Sequence, residues 1–187
     1  MPRSPSANIR ALWTRLSGVP GGKALFSWSL GRMVPYTGTI RPHVVELRAG
    51  YARVEMADRR RVRNHLGSIH AVALANLAEV ASGLAVIYAL PDDARGILLG
   101  LSVEYLKKAR GRLTAECSCD VPDARERREY EIEVTVRDAA GDVVVRARPR
   151  WVIGPAAAPL AAAAASRNAA PGPSEEAARG KGRGATV

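Results

Sequence analysis

Glu79 is the only acidic residue within residues 70–88, His-Ala-Val-Ala-Leu-Ala-Asn-Leu-Ala-Glu-Val-Ala-Ser-Gly-Leu-Ala-Val-Ile-Tyr, a run dominated by Ala and Leu. A carboxylate in such surroundings gives up hydration that must be repaid by a partner, or it holds its proton and its pKa rises. A carboxyl poised in that way suits a general base or a nucleophile. On a helix, Asn76, Glu79 and Gly83 share one face through their three- and four-residue spacing, and that face would line a cleft. The competing reading makes Glu79 half of an ion pair with an arginine at an interface, or a side chain that reaches water at the helix edge. Just ahead lie Asn64 and Gly67 in a loop and His70 at the first helical turn. A helix start presents unpaired N–H groups and a partial positive charge, which can polarise an acyl carbonyl and hold the oxyanion formed on attack.

These residues need elements to position them. Ala and Leu favour helix, and ~19 residues would extend ~28 Å. A helix with almost no charged face is one buried in a core, and Pro91-Asp92-Asp93 ends it. Upstream, Val44, Val45 and Leu47 lead to a turn at Ala49-Gly50, after which Ala52, Val54 and Met56 alternate with Tyr51, Arg53 and Glu55. That is a hairpin with one wet face. Downstream, strands are expected over 97–106, 112–119, 129–137 and 143–153, the last two joined by a turn at Asp138-Ala139-Ala140-Gly141-Asp142. The class is therefore α+β, with an antiparallel sheet of five to six strands long enough to wrap one central helix.

The N-terminal region places Ile9, Leu12, Trp13 and Leu16 on one stripe of a short amphipathic helix. Val19-Pro20-Gly21-Gly22 breaks it, residues 23–33 offer a second helical stretch, and Pro35 closes the region. Residues 1–35 are thus expected as a helical extension and 36–154 as the main domain. The Ala-, Pro- and Gly-rich basic tail of 155–187 has little that could form a core and is expected to be disordered.

The net charge of +10 invites a nucleic-acid reading, but only Arg59, Arg60, Arg61 and Arg63 form a tight run. No recognition-helix pattern, zinc-finger spacing or aromatic RNA-binding strand accompanies them, so specific nucleic-acid binding is not expected. Cys117 and Cys119 stand two apart in a strand and point to one face, where a disulfide would strain the backbone. They are expected as reduced thiols of a cytoplasmic protein. Residues 1–45 hold six Lys or Arg and no acidic residue, which would suit a mitochondrial presequence. Packing of this basic helix on the domain is the favoured reading, ahead of contact with a membrane.

Asn64-His65-Leu66-Gly67-Ser68-Ile69-His70, with Glu79 nine residues after the histidine, resembles the motif of hotdog-fold thioesterases of the phenylacetyl-CoA thioesterase (PaaI-like) type. Glu104-Tyr105-Leu106-Lys107-Lys108-Ala109-Arg110-Gly111 resembles a strand of that family, and residues 137–144 its hairpin. The resemblance covers about 40–153, and it is closest to a bacterial branch that carries an N-terminal helical extension. It implies a hotdog fold and hydrolysis of an acyl-CoA thioester, with coenzyme A entering as part of the substrate and no resident cofactor or metal. It implies that Glu79 activates water or attacks the thioester, that the Ala71 N–H polarises the carbonyl, that Asn64 positions the nucleophile, and that His70 sets the helix start. Gly67, Val72 and Asn76 would line the substrate site, and cations at Arg59, Arg60, Arg61, Lys107, Lys108 or Arg110 would meet the coenzyme A phosphates. Carboxylate and helix end would come from different subunits of a homodimer, which could pair further into a homotetramer.

One departure is plain. The family's Gly-Gly after the histidine is Ala71-Val72 here, which keeps the N–H of residue 71 but narrows the approach. That substitution favours, as an alternative, a non-catalytic acyl-CoA or lipid-binding hotdog protein. A hotdog enoyl-CoA hydratase or dehydratase is the weaker alternative, because no acidic residue lies between Asn64 and His70.

Overall fold

The computed structural model describes residues 4–120 and 122–156. Of the tail expected to be disordered at 155–187, Pro155 is the last residue of a strand and Ala156 is a turn residue, while 157–187 fall outside the described residues. Three helices open the chain: α1 (Pro5–Leu16), α2 (Gly22–Met33) and α3 (Pro35–Ile40). A hairpin follows, β1 (His43–Arg48) and β2 (Tyr51–Met56), then a 3-10 turn at Arg60–Val62 and the long helix α4 (Ala71–Ala89). The second half is β3 (Ala94–Tyr105), β4 (Leu113–Ser118), β5 (Arg128–Glu131), β6 (Val134–Arg137) and β7 (Val143–Pro155).

All strand pairs are antiparallel, and the sheet runs β1-β2-β4-β6-β7-β3, with β5 also paired to β7. The sheet curls around α4, whose Leu77, Ala78, Ala81, Ala85 and Val86 are fully buried. By length and composition α4 could cross a membrane, but 67% of its most apolar window is buried inside the fold. Its apolar circumference is spent on the sheet and on the helices above it. In β2 the expected alternation holds: Ala52, Val54 and Met56 are buried, and their neighbours are half-exposed.

The strand expected over 129–137 is two segments, and Pro149 explains the break. The Ile132 N–H donates to Pro149 O at 3.0 Å, but a proline has no N–H to return the bond, so the ladder lapses between β5 and β6. The sheet therefore has seven segments where five to six strands were expected.

Pro35 was expected to close the helical region. Instead it opens α3 from the first helical position, where its fixed φ suits a helix and its missing N–H costs nothing. α2 and α3 cross closely: a Cβ on Gly38 would lie 2.4 Å from the carbonyl oxygen of Gly31. Gly38→Ala should therefore lower stability by about 1–3 kcal/mol, read as a fall in the thermal unfolding midpoint.

α1 packs on the domain. Ile9 and Trp13 are buried, and Trp13 meets Phe26 edge-on with ring centroids 5.0 Å apart. Arg10 donates to Leu90 O at 2.5 Å and to Tyr88 O at 3.3 Å, and it also pairs with Asp92. A guanidinium there satisfies the orphan carbonyls at the negative end of α4.

Candidate functional site

The loop before α4 is built by its own side chains. Asn64 Oδ1 accepts from the backbone N–H of Leu66 at 2.9 Å and of Ser68 at 3.2 Å, and from the Ser68 hydroxyl at 3.2 Å. Gly67 sits at φ +67° with open space around it, so its part here is the left-handed turn that other residues resist. Ile69 N–H donates to Ala109 O and His70 N–H to Val62 O, which hold the loop against its neighbours. Asp58 completes the clamp by accepting from Arg63 Nε at 2.6 Å and from the Gly111 N–H at 2.9 Å. The Arg63 hydrogen bond holds its carboxyl below the usual range.

His70 is the N-cap of α4, and its Nδ1 accepts from the Val72 N–H at 3.1 Å. This is the capping arrangement usually made by Ser or Asp, here made by an imidazole. With the N–H of 72 satisfied and those of 73 and 74 bonded to His70 O, the Ala71 N–H is the helix-start donor left without a partner among the described residues. Ala71 lines a cavity of about 330 Å³ together with Asn64, Leu74, Tyr105, Leu106 and Lys108. Tyr105 donates its hydroxyl to Ala71 O at 3.2 Å, fixing the first turn of the helix. Tyr105 was not among the candidate residues, although it belongs to the segment 104–111; nothing in its type or spacing predicted a bond across 34 residues.

Glu79 is half-buried; its carbonyl oxygen accepts from the Ser82 hydroxyl at 3.0 Å, but its carboxyl has no hydrogen-bond or ionic partner among the described residues. Burial pushes its carboxyl above the ordinary range, with no charged neighbour contributing. The space beside it is kept open by Gly83: a Cβ there would lie 4.0 Å from Glu79 Oε1 and 3.4 Å from Trp151 Cη2. Trp151 is locked by its Nε1–H to Ser82 Oγ at 3.2 Å, a contact over 69 positions that periodicity cannot reveal. The arginine pairing considered for Glu79 is not found among the described residues.

Glu79 and Ala71 are eight residues apart on one helix, so about 12 Å separates them along the axis. Glu79 is not among the residues around the cavity at the helix start. Within the chain the carboxyl and the helix start therefore lie apart.

Several other candidates are engaged elsewhere. Asn76 is buried, and its Nδ2 donates to Tyr36 O at 3.3 Å, tying α4 to α3. Arg59 donates to Thr39 O and Ile40 O at 3.2 and 2.8 Å, closing the C-terminal end of α3. Lys107 bridges Asp138 at 2.8 Å and Asp142 at 2.5 Å, bracing the β6–β7 turn. Lys108, Arg110, Arg60 and Arg61 are exposed and make no ion pair among the described residues. Val72 is 51% exposed and does not close the cavity in the single chain. Cys117 and Cys119 are free thiols. No cluster of three or more His, Cys, Asp or Glu suited to a metal occurs among the described residues.

A long helix wrapped by an antiparallel sheet is the hotdog fold. The chain belongs to the family described as domain of unknown function DUF4442, whose model matches residues 22–153. That span includes α2 and α3.

Among solved structures, a structural-genomics protein is 32% identical, with a TM-score of 0.68 over 81% of this chain and 99% of that one. A Pseudomonas aeruginosa protein of unknown function, described as a probable thioesterase, is 23% identical, with a TM-score of 0.60 over 72% of this chain and 95% of that one. A thioesterase family protein of Silicibacter pomeroyi is 15% identical, with a TM-score of 0.60 over 69% and 96%. At these last two identities the likeness speaks to the fold. No curated protein matches the sequence.

Proposed function

We propose that the protein is an acyl-CoA thioesterase that works as a homodimer, with Glu79 of one subunit facing the helix start of the other. The observation that carries this reading is the Glu79 carboxyl, half-buried, unpartnered among the described residues and shifted toward the protonated form by desolvation alone. A fold does not keep such a group for stability.

The thioester carbonyl oxygen accepts from the Ala71 N–H, which stabilises the charge that develops there. Glu79 takes a proton from water as the water oxygen bonds to the carbonyl carbon. Collapse of the tetrahedral intermediate breaks the C–S bond, and the thiolate leaving group takes the proton from Glu79 or from solvent. The direct alternative uses the same placement: the carboxylate attacks the carbonyl carbon, the C–S bond breaks to release the thiolate, which takes a proton from solvent, and water then hydrolyses the mixed anhydride to the free acid and the Glu79 carboxylate. Asn64 Oδ1 is committed to the loop, which leaves its Nδ2 donor to hold the nucleophile or the carbonyl. Lys108, which lines the cavity, and Arg110, Arg60 and Arg61, exposed and without an ion pair among the described residues, are the cations for the coenzyme A phosphates, while Arg59 and Lys107 act through the loops they brace.

Dimer formation has an evident edge. β3 is the last strand in the sheet order and runs for 12 residues, with Ile97, Leu98, Leu99, Leu101 and Val103 only half-buried. An unpaired apolar edge of this length is a template for another strand.

The test is a panel of acyl-CoA thioesters of increasing chain length, with free thiol followed in solution. Thiol release from at least one member, saturable in substrate, is expected. Tight binding with no release from any member would leave the protein a carrier of acyl-CoA rather than an enzyme, the reading that Val72 favours.

A further inference from the structure

The N-terminal helices leave one face uncovered. Of the large apolar side chains that are exposed, Val19, Leu25, Trp28, Met33, Val34 and Tyr36 all lie within 19–36, and Trp28 is 62% exposed. Leu25, Trp28 and Arg32 follow at i, i+3 and i+7, so they form one outward stripe on α2. Met33-Val34-Pro35-Tyr36 continues it as four consecutive exposed residues across the α2–α3 junction. This is not the stripe that periodicity nominates, because α1 turns Ile9 and Trp13 inward.

The border of this face is cationic. Trp28, Arg32, Arg41 and His43 line a cavity of about 470 Å³ where α2, α3 and the start of β1 meet. The Arg32 guanidinium lies 5.6 Å from the centre of the Trp28 ring. Neither Arg32 nor Arg41 has an acidic partner among the described residues, and residues 1–45 contain no Asp or Glu at all. Arg41 and Arg61 both press on Arg59 as like charges and help lower its pKa, after desolvation. An exposed apolar stripe with Trp and Tyr at its margin and uncompensated arginines beside it complements a surface of apolar chains under negatively charged head groups.

We propose that the α2–α3 face docks on an anionic phospholipid bilayer, with Leu25, Trp28, Met33 and Val34 entering the interface and a lipid phosphate seated between Arg32 and Arg41. Docking there does not depend on the thioesterase reading, since it uses neither Glu79 nor the start of α4.

The full-length chain is floated with vesicles of phosphatidylglycerol and, separately, of phosphatidylcholine. Trp13 and Trp151 are 7% and 4% exposed, so a change in tryptophan emission reports Trp28. Expected are flotation with the anionic vesicles, a blue shift of emission, and quenching by brominated acyl chains. Arg32→Glu combined with Arg41→Glu should weaken flotation at least about tenfold, and Trp28→Ala should weaken it as well. The quenching needs no variant, so it stands even if a substitution disturbs folding. The proposal is overturned by absence of flotation at low salt, or by flotation that both variants leave intact, which would assign binding to the basic tail. It is also overturned by a blue shift that follows protein concentration without vesicles, which would mean that a second copy covers the face.

Discussion

Ala71→Pro should fold and fail to turn over. Residue 71 is the first position of α4, where proline is well tolerated because φ already fits and no helical bond uses that N–H. The preceding residue must be extended, and His70 at φ −68° and ψ 139° already is. The substitution thus removes one hydrogen-bond donor from the cavity with little cost to the fold. Loss of a single oxyanion donor lowers kcat by about 10²–10³-fold. The expected result is a thermal midpoint near that of the wild type, retained acyl-CoA binding, and thiol release reduced by that factor. An unaltered rate would remove Ala71 from the mechanism.

Glu79→Gln should lower kcat by about 10²–10⁴-fold and raise stability at the same time. Its folded-state pKa is raised by desolvation, so between the unfolded value of about 4.3 and the folded value the native state holds the extra proton. Stability from this group is therefore present below the unfolded value and lost as pH rises through the folded one. The variant's advantage in thermal midpoint should be seen at pH 8 and vanish below about pH 4. The wild type's kcat/KM should rise with pH through a limb above the ordinary glutamate range, as a base must be ionised to work. Stability and activity moving in opposite directions would mark Glu79 as functional; loss of both would mark it as structural.

The long central helix and the flanking hairpin were legible because their signals are local: an Ala/Leu run without charges, and a strict alternation from Ala52 to Met56. The expected span of 70–88 and the observed Ala71–Ala89 differ by one residue. What escaped was nonlocal or ambiguous. A proline both ends and begins helices, and only the chain on either side of Pro35 decides which. Pro149 interrupts the β5–β6 ladder because Ile132 happens to lie opposite it, and register is not written in either segment alone.

The candidate site divides in the same way. His70 was placed by the helix start, Ala71 by the family resemblance, and Glu79 by its isolation. The commitments of Asn76 to Tyr36, of Arg59 to Thr39 in α3, and of Lys107 to Asp138 and Asp142 are contacts across 40, 20, 31 and 35 positions, beyond any spacing rule. The exposed face of α2 was likewise hidden, because Leu25 and Phe26 are adjacent apolar residues of which one is exposed and the other fully buried.

The central claim is that one active site takes Glu79 from one subunit and the Ala71 N–H from another. Mixing Glu79→Gln and Ala71→Pro chains, unfolding and refolding them together, and assaying thiol release tests it most directly. Random pairing rebuilds one intact site in each mixed dimer, so activity should return to roughly a quarter of the wild-type value from two inactive parents. Mixed dimers that form and remain as inactive as either parent would contradict the account.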